Sequence, residues 1–347
     1  MRIALCGDIH ICKHSSIIND NGDQFSSRLE NCIKTVNWVE QIALDKKCDI
    51  VVYLGDVFDK PELDDETITA VKEFKFNSLK HYFIVGNHES SVSGLRYNST
   101  KVLEGENSII VDAPMELHTP GSDILLLPYV VEMDRKPLAE YWSKDTRQSS
   151  AHHKIIFMHN DIAGLTFGPI VTKTGFSQED ILANCELCID GHLHNGTWYV
   201  PERIRSLGNI TGQNFGEDAA QFGHKVMILD TETLEFEDIE NPYAFNFYKI
   251  DILNKADFSK LDNLKNNAVL SIKCEETLAD ELKVKLETLK DKIAKTRIVL
   301  VRAIIAAEDA EDISSLTMDH IQKFIEFCHE KLDNTTILEE ELAEICK

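Results

Sequence analysis

Residues 50–59 read IVVYLGDVFD, an unbroken apolar run that stops at Gly55-Asp56 and is followed three residues later by Asp59. β-branched and aromatic residues without alternation read as a strand buried on both faces, with its polar cluster just past the C-terminal end. The arrangement recurs. Residues 3–6 lead into Asp8-Ile9-His10, 82–85 into Gly86-Asn87-His88-Glu89, 155–158 into His159-Asn160, and 187–190 into Gly191-His192-Leu193-His194. Helical patterns over residues 27–44 and 64–79 separate the first three runs, so the spacing predicts an α/β layered fold. In such a fold the strand C-termini share one sheet edge, where the five clusters would meet.

Working outward, further strands are expected at 109–111, 124–127, 196–200, 204–207, 225–229 and 234–239. The later ones read as antiparallel hairpins, with a turn at 230–233. Composition shifts after Asn241-Pro242, which divides a 1–241 domain from a small α/β module over 244–305. That module has strands at 245–253, 268–273 and 298–305, and a helix at 278–293 with Leu282, Leu286 and Leu289 on one face. An acidic linker opens the last segment, 306–347. Two short helices follow, the first striped by Ile321, Phe324, Ile325, Cys328 and Leu332, the second opening with Thr336 and Glu339 at capping-box spacing.

The chain has 347 residues, 43% hydrophobic and 27% charged, without repeats or low-complexity tracts, which fits a globular protein of more than one domain. The opening MRIALCGDIH carries neither a basic leader nor an apolar core, and no stretch reaches the roughly 18–20 apolar residues of a membrane span. Nine scattered cysteines suit reduced thiols, Cys185 and Cys188 among them, so the expected location is cytoplasmic with no membrane partner. The formal charge of −23 argues against gripping a polyanion unaided. Twelve acidic against three basic residues in 308–347 account for −9 of it. Lys13, His14, Arg28, Lys60, Arg96 and Lys101 stand near the motif loops, either to meet phosphates or as solvated charges, and His152-His153 reads as surface.

Carboxylates, imidazoles and an amide oxygen suit borderline divalent metals such as Mn²⁺, Fe²⁺ or Zn²⁺ and need no thiolate. Two such ions side by side can activate water and stabilise the attacking and leaving oxygens of a phosphoester displacement. A lone Asp-x-His or Gly-His-x-His is a weak signal. Five clusters in order, each after an apolar strand, are a strong one.

The ordered set resembles the calcineurin-like metallophosphoesterase superfamily over roughly residues 1–215, which implies an αββα layered sandwich. By that resemblance one metal is held by Asp8, His10, Asp56 and His194, and the other by Asp56, Asn87, His159 and His192, with Asp56 bridging. His88 matches the histidine that protonates or stabilises the leaving oxygen, while Asp59 and Glu89 fit carboxylates that orient ligating imidazoles. Beyond the last ligands, Ser206-Leu207-Gly208-Asn209, Gly216-Glu217 and the strand ending at Asp230 resemble the SbcD nuclease family and its phage relatives. Asn209 stands where that family usually has serine, and Cys12 where glycine is common. The resemblance implies a Mn²⁺-dependent exonuclease or endonuclease acting on DNA, a small capping domain over the metals, and C-terminal helices that dock on an SbcC-like coiled-coil ATPase. It leaves room for a homodimer. The competing readings are a cytosolic phosphodiesterase or phosphatase acting on nucleotides or phosphoproteins, and a non-catalytic scaffold, against which the intact cluster residues argue.

Overall fold

The apolar runs assemble edge to edge. In the computed structural model, which describes residues 1–13, 24–76, 79–91, 94–148, 153–167 and 170–301, β1 (Arg2–Cys6), β2 (Ile50–Tyr53), β3 (Lys80–Ile84) and β6 (Ser108–Val111) pair in parallel. The antiparallel strands β15 (Lys225–Asp230) and β16 (Phe236–Glu240) continue this sheet beyond β1. A second sheet has β8 (Ser122–Leu127), β9 (His153–Met158), β12 (Leu187–Asp190) and β14 (Ile204–Ser206) in parallel. Antiparallel β7 (Met115–His118) and β13 (Thr197–Val200) close its two edges. Two short hairpins, β4 (Ser90–Ser91) with β5 (Gly94–Asn98) and β10 (Thr166–Phe167) with β11 (Ile170–Val171), project from the loops.

Strand periodicity sets the layers. Ile3, Leu5, Val52, Leu54 and Ile84 of the first sheet meet Ile124, Leu126, Ile155, Phe157 and Ile189 of the second in one shared core. Their neighbours of opposite parity, Ala4, Cys6, Val51, Tyr53 and Phe83, face outward onto α1 (Ser27–Asp45) through Leu29, Cys32, Val36, Val39 and Ala43. On the other side Leu125, Ile156, Met158 and Cys188 pack against α4 (Gln178–Asn184) through Ile181. The result is the αββα sandwich. At about 1.5–3 kcal/mol for each large apolar side chain buried, these faces supply most of the folding drive. Cys185 and Cys188 are both buried and free, and burial pushes the Cys185 thiol up to about 12.

Three expectations change in detail. Among the described residues of 64–79, the helix is only α2 (Asp65–Ala70), capped by Asp64, and one 3₁₀ turn, Val71–Glu73; Phe74 is already extended. Phe74 and Phe76 both pack on the core, with Phe76 4.6 Å from the His81 ring and 5.5 Å from Phe83. Side chains two residues apart share a face in an extended chain and not in a helix. The later strands are only partly hairpins, because β14 joins β12 in parallel. β7 was not anticipated, since Met115–His118 is a solvated edge with no buried residue.

A third sheet, ordered β17 (Asn246–Ile252), β18 (Ala268–Glu275) and β19 (Ile293–Val301), has its own core. α5 (Ala279–Thr288) covers it with Leu282. This helix is shorter than expected and β19 starts five residues before 298, because a 3₁₀ turn at Lys290–Lys292 ends the helix early. The sheet is stitched to the loop after the last motif: Phe245 N donates to Thr211 O at 2.9 Å and Ala219 N to Phe247 O at 3.0 Å. Residues 302–347, including the helices expected there, lie outside the described residues, as do His14 and His152. Among the described residues no helix is long and apolar enough to cross a membrane. The remaining short helix, α3 (Lys144–Gln148), precedes β9.

Candidate metal centre

The five clusters leave the C-terminal ends of β1, β2, β3, β9 and β12, and side chains from all five converge there. The turns are tight. His10, Asp56 and His192 have φ of 51°, 46° and 64°, the left-handed region that costs non-glycine residues of order 1–2 kcal/mol. Glycines let the loops close up: Gly55 has φ 97°, and a Cβ there would run into the His159 ring, while one at Gly86 would meet the Asp56 carboxylate.

Asp8, His10 and His194 form one group of converging ligand atoms, Asp56, His159 and His192 another, and His10, Asp56 and His88 a third that joins them. Asp56 is the hinge of this arrangement. Its Oδ2 lies 3.1 Å from His159 Nε2, 3.7 Å from His10 Nε2 and 4.0 Å from His88 Nε2. Asn87 Oδ1 lies 3.0 Å from His159 Nε2 and 3.1 Å from His192 Nδ1. His88 differs from the rest: its side chain is 44% exposed, at the rim, whereas those of His10 and His159 are buried.

Each of the four inner imidazoles has its outward nitrogen facing an oxygen. His159 Nδ1 donates to Leu54 O at 2.7 Å, His192 Nε2 to Asp161 Oδ1 at 3.0 Å and His194 Nδ1 to Glu217 Oε1 at 2.8 Å. His10 Nδ1 lies 3.4 Å from Asp59 Oδ1. With those nitrogens carrying the protons, the inward ones are lone pairs pointing at one another. His10 Nε2 and His194 Nε2 are 3.1 Å apart, and His159 Nε2 and His192 Nδ1 are 3.3 Å apart. The buried Asp8 Oδ2, 3.8 Å from His194 Nε2, has no hydrogen-bond donor among the described residues. Acceptors opposed this closely in a buried site repel unless a cation sits among them, so the donor set fits divalent metals. Proton affinities show the same appetite for positive charge. Burial alone would lower His159, but the carboxylates of Asp56 and Asp8 outweigh it and raise its pKa to about 10.

Asp161 and Glu217 were not singled out for these roles. Asp161 lies two residues beyond His159 and Glu217 in the Gly-Glu pair, but neither position says which ring it reaches. Asp161→Ala is expected to weaken divalent-metal affinity roughly 10- to 100-fold with the fold intact, the usual cost of losing a carboxylate behind a ligating histidine. Competition against a fluorescent chelator measures it, and unchanged affinity would mean that the contact does not orient His192.

Glu89 and Arg28 do something other than expected. The two oxygens of Glu89 accept the backbone N–H groups of Asp56, Val57, Phe58 and Gly86, and so fix the loop that carries Asp56. Arg28 is buried and donates to the carbonyls of Ile9, His10 and Gly212 and to Thr211 Oγ1, bracing the His10 loop from behind. It is unavailable to a phosphate. Lys13 pairs with Asp64 and Lys101 with Asp112, while Lys60 and Arg96 are exposed. Asn160 is structural too, accepting Val130 N at 2.8 Å and donating to Pro128 O at 3.1 Å. Asn209 closes the turn behind His194 by accepting Thr211 N and Gly212 N.

None of the curated proteins compared with the chain matches it. The sequence model of the calcineurin-like phosphoesterases, however, matches residues 1–225, which spans every residue of this centre, and the chain therefore belongs to that family of metal-dependent phosphoester hydrolases.

Proposed function

We propose that the protein is a two-metal DNA nuclease, with one cation held by Asp8, His10, Asp56 and His194 and the other by Asp56, Asn87, His159 and His192. The position of the Asp56 carboxylate, within 3.1 Å of His159 Nε2 and 3.7 Å of His10 Nε2, carries this reading, because one carboxylate reaching both ligand groups is what a paired site needs. Nitrogen and oxygen ligands without thiolate suit Mn²⁺. When bound, the ions supply Lewis acidity at the phosphoryl oxygens and a nucleophilic water at neutral pH. His88 supplies the proton. Its Nδ1 donates to Asp59 O at 3.1 Å, which turns Nε2 toward the centre, and the ring's exposure at the rim supports a role at the leaving oxygen.

DNA as substrate, and an SbcC-like coiled-coil ATPase as partner through residues 306–347, rest on the motif order after His194 and on the appended sheet. The formal charge of −23 fits a nuclease that borrows its phosphate-binding surface from the partner. The test is cleavage of labelled double-stranded DNA by the purified chain with Mn²⁺, with and without the ATPase. Hydrolysis of mononucleotides or phosphoproteins without DNA cleavage in either condition would favour a phosphatase instead. A chain ending at residue 306 should still hydrolyse a small diester, since every proposed ligand precedes residue 195, and should lose the ATPase in a pull-down.

His88→Ala is expected to keep normal metal occupancy and lose about 10²-fold or more in turnover, the scale of a general acid. Loss of metal in the same variant would make it a structural residue.

A further inference from the structure

Beside the metal centre, Asn87 forms part of the wall of a cleft of about 1310 Å³. That volume is above the roughly 300–1,000 Å³ usual for small-ligand clefts. Resting on the nuclease reading, we infer that this cleft is the subsite for a nucleobase next to the scissile phosphate, with Tyr129 and Met133 as the surfaces on which the base packs.

Because Asn87 belongs to both walls, the cleft opens directly beside the reacting phosphate. The Tyr129 ring lies 6.3 Å from that of His192. Its loop is held on several sides. Tyr129 N donates to Val85 O at 2.9 Å, Val130 N to Asn160 Oδ1 at 2.8 Å, and Arg135 Nη2 to Val130 O at 3.1 Å. The Arg135 guanidinium lies over the Phe176 ring at 5.1 Å and 3.8 Å from Asp161 Oδ2, so the cleft and the His192 support share one frame.

On this braced loop two apolar side chains stand open to solvent, Met133 at 95% and Val131 at 47%. A rigid, exposed apolar surface at the mouth of an active site is poised to be covered by a ligand. Methionine and tyrosine suit a flat, polarisable partner. Charge selects which part of a nucleic acid enters. Asp134 and Glu140 line the cleft, beside an Asp112 paired with Lys101, against Lys136 and an Arg135 already engaged by Glu132 and Asp161. A phosphate backbone is disfavoured there and a neutral base is not.

The experiment compares Mn²⁺-dependent cleavage of a labelled single-stranded oligonucleotide with that of the same strand carrying one abasic residue, mapped bond by bond. The wild type should cleave the bond beside the abasic residue about tenfold slower in kcat/KM, the scale of one lost base stack. Met133→Ala and Tyr129→Ala should slow cleavage of the intact strand and bring that ratio toward one. Met133→Ala, a change on the surface, should leave the content of bound divalent metal unchanged, so that slower cleavage is not a loss of the metal centre. Equal wild-type cleavage of both strands, or variants that keep the wild-type ratio, would overturn the subsite while leaving the nuclease reading intact. A wild type that hydrolyses a small diester and cuts neither strand would overturn the nuclease reading, and the subsite with it.

Discussion

Asp56→Asn is expected to abolish phosphodiester hydrolysis, by about 10³-fold or more, and to leave the purified protein with less than one bound divalent ion. Two effects combine. The substitution removes a negative charge that reaches both ligand groups, and it can place an amide NH₂ where Oδ2 now stands, 3.1 Å from His159 Nε2. A donor there competes with a cation for the same lone pairs. Asp59→Asn is the matched control. Asp59 Oδ1 lies 3.4 Å from His10 Nδ1, and its side chain is 31% exposed. Asparagine keeps an oxygen for that contact, so no more than the roughly 10- to 100-fold loss of an orienting carboxylate is expected. Metal content by mass spectrometry separates the two variants. If both retain two ions, Asp56 does not bridge.

Acid should act in the same direction as Asp56→Asn, by a different route. Protons and divalent ions compete for His159, whose pKa of about 10 in the metal-free site reflects Asp56 and Asp8 beside it. Metal affinity is therefore expected to fall as pH is lowered, with protons taken up as metal leaves.

What the sequence made legible was the part governed by local pattern. An apolar run ending in Gly-Asp or Gly-His fixes a buried strand and the polar turn after it. Parallel pairing then brings Asp8, Asp56 and Asn87 to the end of one sheet and His159 and His192 to the end of the other, and the packing of the two sheets, which no single run shows, brings the two sets together. What it hid were interactions whose two halves share no pattern. Glu217 reaches His194 across 23 residues, and Arg28 reaches Thr211 and Gly212 from a helix whose charge pattern looks like a solvated face. The helix end before Phe74 was hidden for a related reason. Helical propensity continues through the segment, and only the packing of Phe74 and Phe76 on the core stops it.

Glu89 shows most clearly how much of the centre depends on backbone, and Glu89→Gln is expected to damage the fold as well as the site. Oε2 accepts Gly86 N at 2.7 Å and Asp56 N at 3.1 Å, and Oε1 accepts Val57 N and Phe58 N. The side chain is fully buried, so no water can replace it. Burial and the Asp56 carboxylate push its pKa up, and the N–H donors pull the other way by favouring the anion, the form that can accept all four. Glutamine keeps one acceptor oxygen and turns an NH₂ toward the other pair of N–H groups. Two buried donors then lose their acceptor, at about 1–3 kcal/mol each, so a loss of roughly 2–6 kcal/mol is expected. Set against a total stability of about 5–15 kcal/mol, that lowers the melting temperature by many degrees. Either pair of donors belongs to the loops that aim Asp56 and Asn87, so metal affinity should fall with stability. Glu89→Ala gives the second arm: it leaves all four N–H groups unpaired and should be worse than glutamine in melting and in metal binding. If glutamine instead melts like the wild type and binds metal normally, the buried carboxylate does not hold the Asp56 loop, and the positive φ of Asp56 must be sustained by Gly55 and the packing around it.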